Sequence, residues 1–166
     1  MPPLRVAFCC ISKVTRRACT CEPRMNIRPA HPEDTDDILQ LVNDHARRGD
    51  LLPRTAASIR DTLDDWLIAR DETGELVACV SLLAYSPVLA EVRSLAVHDR
   101  AKGGGWGSTL VKALIIEARR RGVITLFALT RAVSFFQRAG FQISSRERFP
   151  EKVWRDCSAC PLIDNC

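Results

Sequence analysis

The feature that most constrains the fold is a glycine cluster at residues 102–108, which reads KGGGWGS. A strand-like run, LAEVRSLAVHD, precedes the cluster, and a regular apolar pattern begins directly after it. A strand, a glycine-rich loop and a helix in this order predict an anion site. The reason is that the loop amides and the first-turn N–H groups are unpaired donors at the positive end of the helix dipole. Glycine also lets the backbone wrap a bulky diphosphate and adopt positive φ angles.

Two familiar phosphate-binding patterns do not fit this cluster. A Walker A loop needs Gly-Lys-Ser/Thr, but Gly107 is followed directly by Ser108. The dinucleotide pattern G-x-G-x-x-G, started at Gly103, requires a glycine at position 108 and meets a serine there. A flexible linker is the remaining alternative. The tryptophan and the adjoining regular helix pattern argue against it.

Charge and hydropathy exclude two classes of partner. The formal net charge is +4, and residues 1–24 carry all of it, with five basic side chains against one acidic side chain. The remaining 142 residues therefore sum to zero, which argues against a nucleic-acid-binding domain. No apolar run approaches the roughly 20 residues of a membrane helix. We expect neither nucleic acid nor membrane as a partner.

Cysteine is unevenly distributed along the chain. Of the eight cysteines, four lie within the first 24 residues, Cys79 stands alone in an apolar run, and three fall in the last ten residues. This distribution is not a disulfide framework, and a chain of 166 residues can bury a sufficient core without one. We therefore expect a reducing, cytoplasmic compartment.

Composition divides the chain into three segments. Residues 1–24 are basic and cysteine-rich, and a new beginning, MNIRPAHPED, starts at Met25. We interpret 1–24 as a leader that is disordered or precedes the true start. A transit-like peptide is an alternative, whereas the apolar stretch VAFCCI is too short for a secretory signal. Residues 25–150 form the predicted domain, and residues 151–166 form a cysteine-containing tail.

Helix and strand patterns alternate from Met25 onward. The predicted order is β-α-α-β-β-β-α-β-α-β, which indicates a mixed sheet flanked by helices. Thr55 is the predicted N-cap of the second helix, which the pattern extends over TAASIRDTLDDW. A turn is predicted at Thr73-Gly74, and Gly122 is predicted to end the third helix.

Two segments of this pattern resemble the GNAT superfamily of acyl-CoA N-acyltransferases. The stretch SLAVHDRAKGGGWGSTLV is similar to the acetyl-CoA loop of that family, whose pattern is Gln/Arg-x-x-Gly-x-Gly/Ala. Lys102 takes the first position, where lysine is a departure that keeps the charge, and Gly105 and Gly107 take the two small positions. The stretch AVSFFQRAGF resembles the later family motif, in which an aromatic pair is followed by Gly140-Phe141.

The resemblance implies a fold and a co-substrate. The expected fold class is α/β (α+β), with a mixed, mostly antiparallel sheet flanked by helices and splayed strands at the acetyl-CoA site. The pyrophosphate of coenzyme A is expected on the loop amides, and the pantetheine beside the strand at Leu95 to Val97. The implied acetyl-CoA contacts are Leu95, Ala96, Val97, Lys102, Gly103, Gly104, Gly105, Trp106, Gly107, Ser108 and Phe136.

A closer resemblance concerns the acceptor. The segments LLPRT, AEVRSLAVHD, LFALT and FPEKVW are similar to the acetyltransferase domain of N-acetylglutamate synthases, including short stand-alone members. The resemblance implies that Arg54 holds a substrate carboxylate and that Glu91 relays the amine proton through water. It also implies that Thr130 lines the acceptor pocket and that Lys152 faces the substrate. The expected reaction is acetylation of the α-amino group of L-glutamate, the first step of arginine biosynthesis.

The general acid is left open by the sequence. Many GNAT enzymes use a tyrosine in the later motif, but this chain has Phe136 there, and its only tyrosine is Tyr85. Water or Thr130 must then protonate the leaving thiolate. Another amine, such as glutamine or a protein N-terminus, is an alternative acceptor. A non-catalytic acetyl-CoA sensor is a second alternative.

The tail carries a weaker signal. Its sequence CSACPLIDNC has the spacing C-x2-C-x5-C, in which close thiolates can share a metal ion, although a fourth ligand is missing. Redox activity or inert thiols are alternatives, so the metal is left undecided. The expected partners are a small amino-acid substrate and, as a further option, a second copy in a homodimer. The candidate metal ligands are Cys157, Cys160 and Cys166.

Overall fold

The computed structural model describes residues 7–12 and 25–150. Seven strands and four α-helices occur in these ranges, with short 3-10 turns between some of them. The strands are β1 (Ala7–Ser12), β2 (Asn26–Pro29), β3 (Trp66–Arg70), β4 (Leu76–Ser86), β5 (Leu89–Val97), β6 (Thr125–Thr130) and β7 (Gln142–Ser144). The helices are α1 (Thr35–Arg47), α2 (Ala56–Arg60), α3 (Trp106–Arg120) and α4 (Val133–Arg138).

The described residues fall into two compact units. Residues 25–83 and 92–117 form one, here called the α1 unit. Residues 7–12, 84–91 and 118–150 belong to the other, here called the α4 unit. Strands β4 and β5 each contribute residues to both.

The α1 unit contains an antiparallel run of strands. β2 pairs with β3, and β3 pairs with β4, with a register shift at Ala69/Arg70. Apolar residues from α1, α2 and these strands form its core, because the helical and strand periodicities each put one face inward. The largest fully buried members include Ile38, Ile59, Trp66 and Ile68.

A buried carboxylate ties the first elements of this unit together. Asp34 has no exposed surface, and its oxygens accept bonds from Arg28 at 2.7 and 2.9 Å, from Arg70 at 2.6 Å and from the His31 backbone at 2.7 Å. Burial alone raises the pKa of Asp34, but these hydrogen bonds outweigh it and lower the pKa to about 2. A buried charge needs such partners, so this network fixes β2 and β3 against the start of α1.

The second helix is shorter than its pattern predicts. Thr55 caps it as expected, since its hydroxyl accepts from the Ser58 backbone at 3.1 Å. The helix ends at Arg60, however, and Trp66 begins β3 instead of continuing the helix. The Trp66 Nε1–H donates to the Thr62 hydroxyl at 3.1 Å, which holds the chain where it leaves the helix.

The α4 unit is built around β6. The start of β5 pairs with β6 in parallel, with Leu89, Ala90 and Glu91 opposite residues 125–127. On the other side of β6 the strand order continues through β1 to β7, and β1 is antiparallel to both. Phe127 is fully buried here, and its ring stacks on that of Phe149 at a centroid distance of 4.4 Å.

Strand β1 lies in the segment that the sequence predicts to be a disordered leader. For Ala7–Ser12 that prediction is wrong, because all six residues pair with β6 and three of them pair with β7. An apolar run of this length has no periodicity of its own that separates a strand from a loop, so its conformation depends on the neighbouring strands. The other residues of 1–24, and the tail at 151–166, lie outside the described residues.

The fold class agrees with the sequence prediction. Antiparallel pairings predominate, β5 and β6 are parallel, and helices connect the strands. From residue 25 the order of elements is the predicted one. None of the helices in the described ranges combines the length and apolar character that crossing a bilayer requires.

Candidate active site

The glycine loop connects the end of β5 to the start of α3. A 3-10 turn, Asp99–Ala101, precedes it, and α3 begins at Trp106. Gly103 and Gly105 have φ angles of 84° and 81°, which L side chains rarely adopt. These positions therefore require glycine for conformational reasons.

The neighbouring glycine is restricted by space. A Cβ at Gly104 would lie 3.2 Å from the Ala101 oxygen and 3.2 Å from two atoms of the Trp106 ring. At Gly105 the nearest atom would be the Met25 Cε at 3.6 Å, an ordinary contact. The first-turn N–H groups of α3 have no carbonyl partner within the helix, as at every helix start, and they adjoin this loop.

Charge at the loop entrance is shared among several side chains. The Asp99 carboxylate lies 2.5 Å from the Lys102 Nζ and accepts from Arg48 of the α1 end at 2.5 Å. The bonds from Lys102 and Arg48 hold the pKa of Asp99 down at about 2, below its usual value. The Asp50 carboxylate also lies 3.8 Å from the Arg48 Nε, so these two cations are balanced by two carboxylates.

Strand β5 changes conformation before it reaches the loop. Ser94 has a φ of 52°, the one positive φ found outside glycine in the described residues. A non-glycine residue in this region costs energy that surrounding contacts must offset. The predicted pantetheine strand, Leu95 to Val97, follows this irregular residue, and Ala96 within it is buried. Cys79 lies behind it, with its Sγ 3.9 Å from the Ser94 oxygen, and burial raises the pKa of that thiol to about 12.

The predicted acceptor arginine is held from two sides. Asn43 of α1 donates to the Arg54 carbonyl at 3.0 Å and accepts from the Arg54 N–H at 2.9 Å. The Arg54 Nε donates to the Ser94 hydroxyl at 3.2 Å. The structure therefore brings Arg54 to the irregular part of β5, and it fixes the backbone that carries the guanidinium.

The predicted base is paired with the tyrosine. Glu91 has only 3% of its surface exposed, and its Oε2 accepts a hydrogen bond from the Tyr85 hydroxyl at 2.8 Å. Tyr85 lies near the end of β4, and Glu91 lies in β5 beyond the two-residue turn at 87–88. Phe127, opposite Glu91 in the β6 register, contacts the Tyr85 ring at a centroid distance of 5.7 Å.

Two other predicted site residues belong to the α4 unit. The Thr130 hydroxyl, at the end of β6, accepts from the Ala132 backbone at 2.9 Å. Phe136 is buried, and its ring makes edge contacts with Phe135 at 5.2 Å and Phe141 at 5.1 Å. Packing within the unit accounts for this burial. Lys152 lies outside the described residues, as do the candidate metal ligands Cys157, Cys160 and Cys166.

The family follows from a comparison with known proteins. The profile of the Acetyltransferase (GNAT) family matches residues 32–141. The chain belongs to this family.

Relatives of this GNAT chain include both short and long proteins. It is 34% identical over 140 residues to an uncharacterized N-acetyltransferase of Chlorobaculum tepidum, covering 84% of this chain and 90% of that one. It is 31% identical over 137 residues to an amino-acid acetyltransferase of Neisseria meningitidis, covering 81% of this chain and 31% of that one. The chain thus spans about a third of the length of that long relative.

Solved GNAT structures give the same fold. N-acetylglutamate synthase from Neisseria gonorrhoeae, complexed with coenzyme A and N-acetyl-glutamate, has a TM-score of 0.74 and 29% identity, covering 81% of this chain and 33% of that one. A Mycobacterium tuberculosis protein in complex with CoA has a TM-score of 0.71 and 28% identity, covering 83% of this chain and 87% of that one. The chain therefore has the GNAT fold and belongs to the acetyltransferases, a class that uses acetyl-CoA as co-substrate.

Three residues near the predicted site of this GNAT chain were not connected to that site by the sequence. Asn43 and His45 lie in α1, and their partners, Arg54 and Val97, lie 11 and 52 residues away along the chain. Nothing local in the sequence indicates such pairs. Tyr85 was recognised but not connected to the site. Tyr85 and Glu91 lie on consecutive strands joined by a two-residue turn, and this closeness along the chain could have suggested the pair.

No metal site accompanies these residues within the described ranges. No group of three or more histidine, cysteine, aspartate or glutamate side chains there is placed to hold an ion. The metal hypothesis concerned the tail alone, and it stays a prediction for that segment.

Proposed function

We propose that this protein transfers the acetyl group of acetyl-CoA to the α-amino group of L-glutamate, as the first step of arginine biosynthesis in the cytoplasm. The relatives support this proposal, since amino-acid acetyltransferases match over 75–81% of the chain. The main supporting observation is the position of Arg54. Its Nε donates a hydrogen bond to the hydroxyl of Ser94, in the strand that leads to the acetyl-CoA loop.

The attachment of Arg54 favours a substrate with a carboxylate. Arginine presents five donors in a planar fork that matches a carboxylate with two parallel bonds. A cation on a free loop would lose much side-chain entropy when it binds. Here Asn43 already fixes the backbone on both sides of the residue, so less freedom remains to be lost. An amine substrate without a carboxylate would not need this arrangement.

The chemistry assigns complementary roles to the other residues. The α-amine must lose a proton before its nitrogen attacks the thioester carbonyl, and Glu91 accepts that proton through a water molecule. The C–N bond forms, the C–S bond breaks, and the thiolate leaves with a proton from water or Thr130. A backbone N–H of Leu95 to Val97 stabilises the developing oxyanion. The loop at Gly103 to Gly107 binds the pyrophosphate.

The test is a screen of free amino acids with acetyl-CoA, following thiol release and identifying the acetylated product by mass spectrometry. We expect glutamate to give the highest kcat/KM. Glutamine and a peptide with a free N-terminus serve as matched amines that lack the side-chain carboxylate. A preference for either of them would overturn the glutamate assignment, and acetyl-CoA binding without turnover of any amine would indicate a sensor.

A further inference from the structure

We propose that Tyr85 is a positioning residue for the catalytic base, in that its hydroxyl fixes and stabilises the Glu91 carboxylate. This inference rests on the proposed role of Glu91. It assigns a function to a side chain that lies outside the later motif in which many members of the family carry a tyrosine. The Tyr85 hydroxyl donates to Glu91 Oε2 at 2.8 Å, a distance normal for an O–H···O hydrogen bond.

The burial of Glu91 makes its hydrogen bond with Tyr85 important for the ionised carboxylate. With 3% of Glu91 exposed, the carboxylate has lost most of its contact with water, and an ionised group in such a place needs donors from the protein. The ionised form is also the form that accepts a proton. A phenolic hydroxyl supplies a donor without adding a charge. It therefore stabilises the carboxylate while lowering its proton affinity less than a neighbouring cation would.

The tyrosine is itself held in place. Its ring packs against Phe127, which has no exposed surface and lies opposite Glu91 in the parallel register of β5 and β6. The Phe149 ring in turn stacks on the Phe127 ring, at a centroid distance of 4.4 Å, and Leu89 belongs to the same apolar cluster. Packing of its ring therefore fixes the Tyr85 hydroxyl beside Glu91. A residue that orients a catalytic group must itself be fixed in this way.

The first test is a kinetic double-mutant cycle of Tyr85→Phe and Glu91→Gln. Tyr85→Phe keeps the ring on Phe127 and removes only the hydroxyl, so folding should be preserved. We expect kcat to fall about tenfold or more, with the KM for acetyl-CoA within about twofold of wild type. In the Glu91→Gln background the same substitution should change kcat by no more than about twofold, because its charged partner is gone. An equal effect in both backgrounds, or a kcat within about twofold of wild type for Tyr85→Phe alone, overturns the proposal.

A second measurement does not depend on turnover. Tyr85 is the only tyrosine in the chain, so incorporation of 3-fluorotyrosine places a single fluorine reporter beside Glu91. We expect Glu91→Gln to shift its NMR resonance clearly, and Glu72→Gln, at an exposed site in the turn after β3, to leave it unchanged. Equal shifts for the two variants overturn the contact. If glutamate is not acetylated but this coupling is observed, the proposed function fails while the role of Tyr85 stands for whichever amine reacts.

Discussion

The Nε2 of His45 lies 3.0 Å from the carbonyl oxygen of Val97, so the last turn of α1 is hydrogen-bonded to the last residue of β5. A carbonyl only accepts, and the ring nitrogen is therefore the donor. The other ring nitrogen lies 3.5 Å from the Asp50 carboxylate. His45 is buried, which makes this contact part of the support for the strand that precedes the glycine loop.

Replacing His45 should weaken acetyl-CoA binding indirectly. His45→Leu leaves the Val97 carbonyl without its donor, at a cost of about 1–3 kcal/mol in unfolding free energy, and we expect a severalfold higher KM for acetyl-CoA. His45→Gln retains a donor of similar reach and should recover much of both losses. Urea unfolding and steady-state kinetics provide the measurement. Equal behaviour of the two variants would show that the hydrogen bond is not what supports the strand.

Conformational strain at the glycine loop can be separated from loss of ligand contact. Gly105→Ala forces a side chain into a φ of 81°, and Gly74→Ala does the same at 84° in the turn between β3 and β4. Each should lower the unfolding free energy by about 1–2 kcal/mol. Only Gly105→Ala should weaken acetyl-CoA binding, by about tenfold, as measured by titration calorimetry. If both variants bind equally well, the loop does not hold the pyrophosphate.

Arg54→Ala should act on the amino-acid substrate. Loss of a charge-assisted bond costs about 1.5–3 kcal/mol, or roughly ten- to a hundredfold in the KM for glutamate. The KM for acetyl-CoA should hold, and Arg54→Lys should rescue only part of the loss. Arg60→Ala, at an exposed position of α2, is the matched control. If only the KM for acetyl-CoA changes, Arg54 does not line the acceptor pocket.

Glu91→Gln should lower kcat with little change in either KM. General-base assistance typically contributes ~10²–10⁴-fold, and the amide keeps the shape of the carboxylate without its capacity to accept a proton. The deficit should narrow as the pH rises, because more of the amine is then already neutral. The measurement is kcat across the alkaline range. A deficit that is constant with pH would argue that Glu91 acts on packing and not on the amine proton.

Asp34 should account for part of the dependence of the unfolding free energy on pH in the acid range. Its folded-state pKa of about 2 lies below the unfolded value of about 3.9, so its contribution is complete above the unfolded value and disappears as the pH falls through the folded one. This contribution amounts to about 2 kcal/mol at neutral pH. Asp34→Asn should therefore be clearly less stable than wild type at pH 7, and the difference should narrow between about pH 4 and pH 2. Urea unfolding measures it, with Asp36→Asn at an exposed site of α1 as the control.

The order of elements was predictable, whereas several contacts in the candidate site were not. Periodicity and caps are local, so Thr55 at the start of α2 and Gly122 after α3 were correctly located. The bonds of His45 to Val97 and of Arg54 to Ser94 join residues 52 and 40 positions apart, and only the folded chain brings them together. A resemblance could name Arg54 and Glu91, but it contained no information on Tyr85 as the partner of the base.

Strand β1 makes the sheet of the α4 unit depend on residues that precede Met25. It lies between β6 and β7 and pairs with both. A variant without residues 1–24 would lack β1, leaving that side of β6 open and β7 without its strand neighbour. Unpaired strand edges recruit strands from other molecules. Removal of β1 would therefore replace a pairing within one molecule by exposed edges at which copies of the chain associate.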